Sequence, residues 1–245
     1  MADQTALTHE QWLEEMDRKG REKQKSFIAN IAGRLRRETG KPPAGHPYRG
    51  APSFWQRFEW PLEERIERFS ANFKSAGGHV VRVPDMAAAS AFIADKAKEM
   101  SAHYIVRQQE AALEALELEA ALPGCEVSVW NDDPGKPWKA LAAQADFGVV
   151  MADHAAAYTG SLAVLSAKEK GRSVSLLPTV LMALLPVDRL VTRLGEILMP
   201  LDAAGREKLP AGVHFISGPS RSADIENDLT IGVHGPGVVY VILIG

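Results

Sequence analysis

A single cysteine, Cys125, serves the whole 245-residue chain. One thiol makes no internal disulfide, and it cannot supply the several thiolates of an ordinary iron–sulfur cluster. It follows Pro123-Gly124 at the head of an apolar run, where a buried, inert thiol is expected. No apolar stretch reaches the roughly 18 residues of a membrane helix. The longest, residues 174–186, is interrupted by Ser175, Pro178 and Thr179. The first twelve residues lack the charged-then-apolar order of a secretory signal, so a cytoplasmic location is the expectation. With a net charge of −3 and only 7% aromatic residues, the chain carries no basic-aromatic ladder for nucleic acid. It also lacks a G-x-G-x-x-G turn, a P-loop and any H-E-x-x-H or H-x-x-x-H pair, so neither a nicotinamide nor a zinc site is signalled. No metal or cofactor is expected in this chain.

What is present is ordinary in bulk and informative in order. Hydrophobic residues make up 46% and charged residues 24%, the balance of a globular protein. Residues 1–39 read as a helical arm. Trp12, Met16, Phe27, Ile28, Ile31 and Leu35 recur at helical spacing, with a weak point at Gly20 and Gln24 that allows one helix or two. Such a narrow stripe cannot build its own core, so the arm either docks on a neighbour or stays solvated. Residues 40–60 read as a linker, because prolines and glycines crowd the segment GKPPAGHPYRGAP. From residue 61 to 245 helices and strands alternate. Helix 62–75, strand 79–83, helix 86–100, strand 104–107, helix 109–122, strand 126–130, helix 138–144 and strand 147–151 follow one another. That rhythm predicts an α/β fold, an open and mostly parallel sheet covered by helices on both faces. Further on, a helix is expected near 189–199, a strand at 213–216, a short helix from Ser222, and strands at 230–234 and 238–244.

Two stretches carry the chemistry. In YTGSLAVLSAKEKGRSVSLLP, residues 158–178, apolar runs 162–165 and 174–177 flank a polar turn, which predicts a strand pair with Gly171 supplying a positive φ at the exit. Thr159, Gly160 and Ser161 stand before the first run, and Arg172-Ser173 opens the second. Hydroxyls, a glycine and a guanidinium at strand ends suit an anion or carbonyl pocket. The alternative is a hairpin whose hydroxyls satisfy turn backbone. Near the C-terminus, FISGPSRSADIE runs from Phe215 to Glu226 and GVHGP from Gly232 to Pro236. There Ser217, Gly218, Ser220 and Arg221 suit an anion cradle at a helix N-terminus capped by Ser220 or Ser222. The competing account pairs Arg221 with Asp224 or Glu226 along that helix. His234 and His154 are expected in loops beside the two motifs, while His79, His103 and His214 enter apolar strands.

Together, GRSVSLLP and SGPSRSADIE, about forty residues apart and in this order, resemble the LutC/YkgG family, whose members carry a LUD domain; the likeness spans about residues 59–245. It implies the open sheet of the NagB/RpiA/CoA-transferase-like folds. It further implies a bacterial, non-redox subunit of L-lactate oxidation to pyruvate, beside LutA-like and LutB-like iron–sulfur partners that hold the clusters. Members of the family carry a glutamate where this chain has Tyr158, and in CoA transferases of related fold a glutamate is the nucleophile. A phenol that ionises near pH 10 cannot form the acyl anhydride, so that mechanism is not expected here. A different class remains open, a stand-alone enzyme acting on a small phosphorylated or acyl substrate.

Overall fold

The computed structural model describes residues 8–38, 58–223 and 229–245, in two compact units, Met1–Pro52 and Ser53–Gly245. The expected linker lies, apart from residues 58–60, outside the described residues.

In the first unit a single helix, α1 (His9–Arg34), runs through Gly20 without a break. Thr8 and Gln11 form a reciprocal capping box that satisfies two orphan N–H groups. Pairs Glu15–Lys19, Asp17–Arg21 and Arg18–Glu22 support the helix one turn apart. None of its described residues is buried; Trp12 is 48% and Phe27 67% exposed.

The second unit opens with α2 (Leu62–Ser75), whose acids Glu63 and Glu64 lie in the first turn, where the helix dipole favours them. Then come β1 (His79–Val83), α3 (Met86–Glu99), β2 (Tyr104–Arg107), α4 (Ala111–Glu114), α5 (Leu118–Ala121), β3 (Glu126–Val129), α6 (Trp138–Gln144) and β4 (Phe147–Met151). After them follow β5 (His154–Ala156), β6 (Ser161–Leu165), α7 (Ser173–Leu176), β7 (Val180–Pro186), β8 (Leu190–Val191), α8 (Leu194–Ala204), β9 (Val213–Ile216), β10 (Arg221–Ala223), β11 (Leu229–Ile231) and β12 (Val238–Ile244).

Six strands form one wholly parallel sheet in the order β1-β12-β7-β4-β2-β3. Such a sheet must be covered on both faces, and strand β7 shows how. Leu181, Ala183 and Leu185 point into a core shared with Phe69 and Phe73 of α2 and with Leu162. The alternate residues Val180, Met182 and Leu184 point into the opposite core, with Ile93 of α3 and Phe147. Each large side chain withdrawn from water in this way contributes roughly 1.5–3 kcal/mol. A second sheet, β8-β5-β6-β9, is mixed: β5–β8 is parallel, β5–β6 and β6–β9 antiparallel. Strands β10 and β11 make a separate antiparallel pair.

Four expectations are corrected. Residues 174–177 are not a second strand: Ser173–Leu176 is one helical turn, closed by Leu177 N–H to Ser173 O and by Ser175 Oγ to Arg172 O. A short apolar run fits either a buried turn or a strand, and the strand proper begins only after Pro178. The helix expected from Ser222 is β10, because Arg221–Ala223 pairs with Leu229–Ile231. Helix 109–122 is two separate turns, interrupted by Glu117 in the left-handed region at φ 45°. The helix placed near 189–199 starts five residues later, as Leu194–Ala204, because Leu190–Val191 is taken by the ladder with β5.

Candidate functional site

Helix α2 organises the first motif. Asn72 Nδ2 donates to the carbonyls of Ala157 and Tyr158 at 2.9 and 3.1 Å, tying the loop before β6 to the helix. Gly160 completes that docking: at φ 59° it lies so close to Asn72 and Phe73 that a Cβ would fall 2.7 Å from the Asn72 Cβ. Ser161 is then buried at the start of β6, and its Oγ lies 2.7 Å from Ser217 Oγ. The β6–β9 ladder, which sets Leu162 opposite Ile216, places these hydroxyls side by side across 56 residues of sequence. The two motifs therefore meet.

The remaining motif residues disperse around this hydroxyl pair. Thr159 is exposed, and its carbonyl accepts weakly from Ser161 Oγ at 3.5 Å. Gly218 backs onto the end of α2. Arg221 donates from Nη2 to Ala76 O at that helix end, where a cation complements the unpaired carbonyls. Neither Ser220 nor Ser222 caps a helix, because β10 stands there; Ser220 instead exchanges backbone bonds with Pro236 and Gly232. His234 is exposed in the loop between β11 and β12, beside Gly235, which packs on Ser220. His154 is the first residue of β5 rather than a loop residue. Tyr158 joins an aromatic group, its ring 5.7 Å from Phe58 and 6.1 Å from Trp60, with Arg68 stacked 4.2 Å over Trp60.

Arg172 and Ser173 belong to a strap, residues 166–173, that lies across the carboxyl ends of the central strands. Gln109 N–H donates to Glu169 O, and Trp130 Nε1 donates to Lys168 O at 3.1 Å. Gly171 is needed for its size: a Cβ there would overlap the Trp130 ring, and its φ is not positive. At the strap's start Ser166 Oγ lies 2.9 Å from His214 Nε2. Burial lowers the His214 pKa from 6.5, and the nearby Arg172 charge lowers it further. Ser173 opens α7.

Beneath the strap lies a cluster that sequence reading missed. Lys170 Nζ sits 2.7 Å from Asp153 Oδ1 and 3.0 Å from Glu110 Oε1. The first contact is a hydrogen bond; the second is a charge contact off the hydrogen-bonding direction. Asp153 Oδ2 also accepts from Leu165 N–H at 2.7 Å. Glu110 follows β2 and Asp153 follows β4. From β2 the chain leaves toward β3, and from β4 toward β7, on opposite sides. That divergence is the switch point where open parallel sheets bind ligands. Lys170 lies in the polar turn of the first motif, but Glu110 and Asp153 stand outside both motifs, and only the strand order brings the three together.

Cys125 is half-buried rather than buried; desolvation, then Asp146 and Glu126, raise its pKa. Among the described residues there is no group of three or more His, Cys, Asp or Glu side chains suited to a metal ion, and no helix long and apolar enough to cross a membrane.

A wholly parallel central sheet crossed by a strap at its switch point, beside a second, mixed sheet in which Ser161 and Ser217 pair, defines an α/β protein. The chain belongs to the LUD domain family, whose profile matches residues 66–244. It is similar to lactate utilization protein C of Halalkalibacterium halodurans, 41% identical over 141 residues, 57% of this chain and 61% of that protein. The Bacillus subtilis protein of the same name is 37% identical over 123 residues, 49% of this chain and 51% of the relative. The chain thus spans half to three-fifths of the length of these relatives. In fold it is similar to the crystal structure of a DUF162 family protein from Deinococcus radiodurans, with a TM-score of 0.58 at 21% identity over 76% of this chain and 99% of that one.

Proposed function

We propose that this chain is a lactate utilization protein C-like subunit of a cytoplasmic L-lactate-oxidising system, with a binding or assembly role and no electron-carrying group of its own. The observation that carries the reading is the similarity to lactate utilization protein C, at 35–41% identity in the relatives compared. The single cysteine supports the division of labour. Oxidation of lactate to pyruvate releases two electrons and two protons, and one thiolate cannot hold a cluster to receive the electrons. LutA-like and LutB-like iron–sulfur proteins are the partners that would carry them. The purified chain is expected to be colourless and to leave L-lactate unoxidised with an artificial acceptor, with turnover appearing when both iron–sulfur partners are added. Pyruvate formation by the isolated chain would overturn the reading.

A second reading, a stand-alone enzyme for a small phosphorylated or acyl substrate, draws on one observation, the place of the Lys170 cluster at the switch point, while its two carboxylates against one ammonium count against the phosphorylated version. Tyr158 argues against its acyl-transfer version, since a phenol is not a carboxylate nucleophile. Thermal shift with sugar phosphates, acyl-CoA esters and hydroxy acids separates the two. A saturable shift with a phosphorylated or CoA ligand alone supports the enzyme.

A further inference from the structure

Gln108 is fully buried directly after β2. Its Oε1 accepts from Met151 N–H at 3.2 Å, which fixes the orientation of the amide. Nε2 is left with two buried N–H donors and no acceptor among the described residues. A buried donor without a partner is costly, and native proteins rarely retain one unless something fills the site. The amide lies between two strand ends: Glu110 is two residues further along its own chain, and Asp153 two residues beyond its partner Met151. Glu110 Oε1, buried as an atom, has no directed hydrogen bond either. The rim can be reached from solvent, for the side chains of Lys170, Asp153 and Glu110 are 13%, 21% and 23% exposed.

We propose that the crevice between the carboxyl ends of β2 and β4 binds a small, uncharged compound carrying a hydroxyl beside a carbonyl. Gln108 Nε2 and Lys170 donate to its carbonyl oxygen, and Glu110, with Asp153, accepts from its hydroxyl. The charge balance selects against anions. One ammonium faces two carboxylates, so a phosphate or a free carboxylate meets no positive surplus, whereas a neutral hydroxy-carbonyl satisfies both the orphan donors and the open acceptor. The inference stands apart from the lactate reading, because it concerns a different ligand chemistry and a separate measurement.

The test uses the whole chain labelled with nitrogen-15, with the Gln108 side-chain amide signals assigned by their disappearance in Gln108→Met. Titration with dihydroxyacetone is expected to move those signals saturably, with L-lactate and inorganic phosphate at least about tenfold weaker. Lys170→Met and Gln108→Met are each expected to weaken dihydroxyacetone binding about tenfold or more, the loss of one directed bond to a charged or buried donor. If Lys170→Met does not fold, the wild-type titration and Gln108→Met decide. Unmoved Gln108 signals, binding retained within twofold in the folded variants, or tighter binding of lactate or phosphate would each overturn the proposal.

Discussion

At Gly171 and His214 one atom decides the outcome. Gly171 looks in sequence like a turn glycine chosen for its dihedral freedom, yet its constraint is the Trp130 ring against its Cα. Gly171→Ala is therefore expected to cost about 1–3 kcal/mol in chemical denaturation, as overpacking does, and to alter tryptophan fluorescence. A strain-free substitution would show that the strap yields. His214 carries a sign that can be worked out. Its folded pKa lies below the usual 6.5, so between the two values the unfolded chain binds more protons. Stability present above pH 6.5 is accordingly lost as the pH falls through that window. The groups facing it are Ser166 and the Arg172 charge. His214→Asn is expected to flatten the dependence of melting temperature on pH below about 6.5. An unchanged slope would remove His214 as the cause.

Among the elements, α2 does more than cover the sheet. It buries Phe69 and Phe73, receives Arg221 at its C-terminus, and holds the loop before β6 through Asn72. Two bonds at about 0.5–1.5 kcal/mol each predict that Asn72→Ala loses about 1–3 kcal/mol. Hydrogen exchange is expected to rise at residues 157–161, while the β7 and β12 amides stay protected. Uniform loss of protection would instead mean that the whole unit is weakened. In sequence α2 is plain from its acids and apolar spacing, but the importance of Asn72 is invisible, because its partners lie 85 and 86 residues away.

For the molecule as a whole, the open question is what meets the apolar side chains of α1. Trp12, Met16, Phe27, Ile28 and Ile31 are all exposed, in a pattern too extended for isolated surface residues. Burying several of them on a partner would contribute roughly 1.5–3 kcal/mol each. Deleting residues 1–40 is expected to change the oligomeric mass, measured by light scattering, or the affinity for the proposed iron–sulfur partners. If mass, melting temperature and affinity are all unchanged, the helix is not an interaction element.

The bounds of α2, β1, β2, α6, β4, β9 and β12 were legible in the sequence, because period, caps and Gly/Pro punctuation act within a few residues. The same local signals announced a mostly parallel α/β sheet and brought attention to Ser161 and Ser217. They could not announce that these two hydroxyls would touch, since only the β6–β9 register does that. Residues 174–177 show the limit in small: four apolar-rich residues carry no period, so α7 was settled by bonds to Arg172 and Ser173. The Lys170 cluster shows it at large. Its carboxylates come from the ends of β2 and β4, which neighbour each other in the sheet although β3 and α6 separate them in the chain. Strand order is a property of how both faces of the sheet are buried, and that free energy exists only once the whole unit has packed.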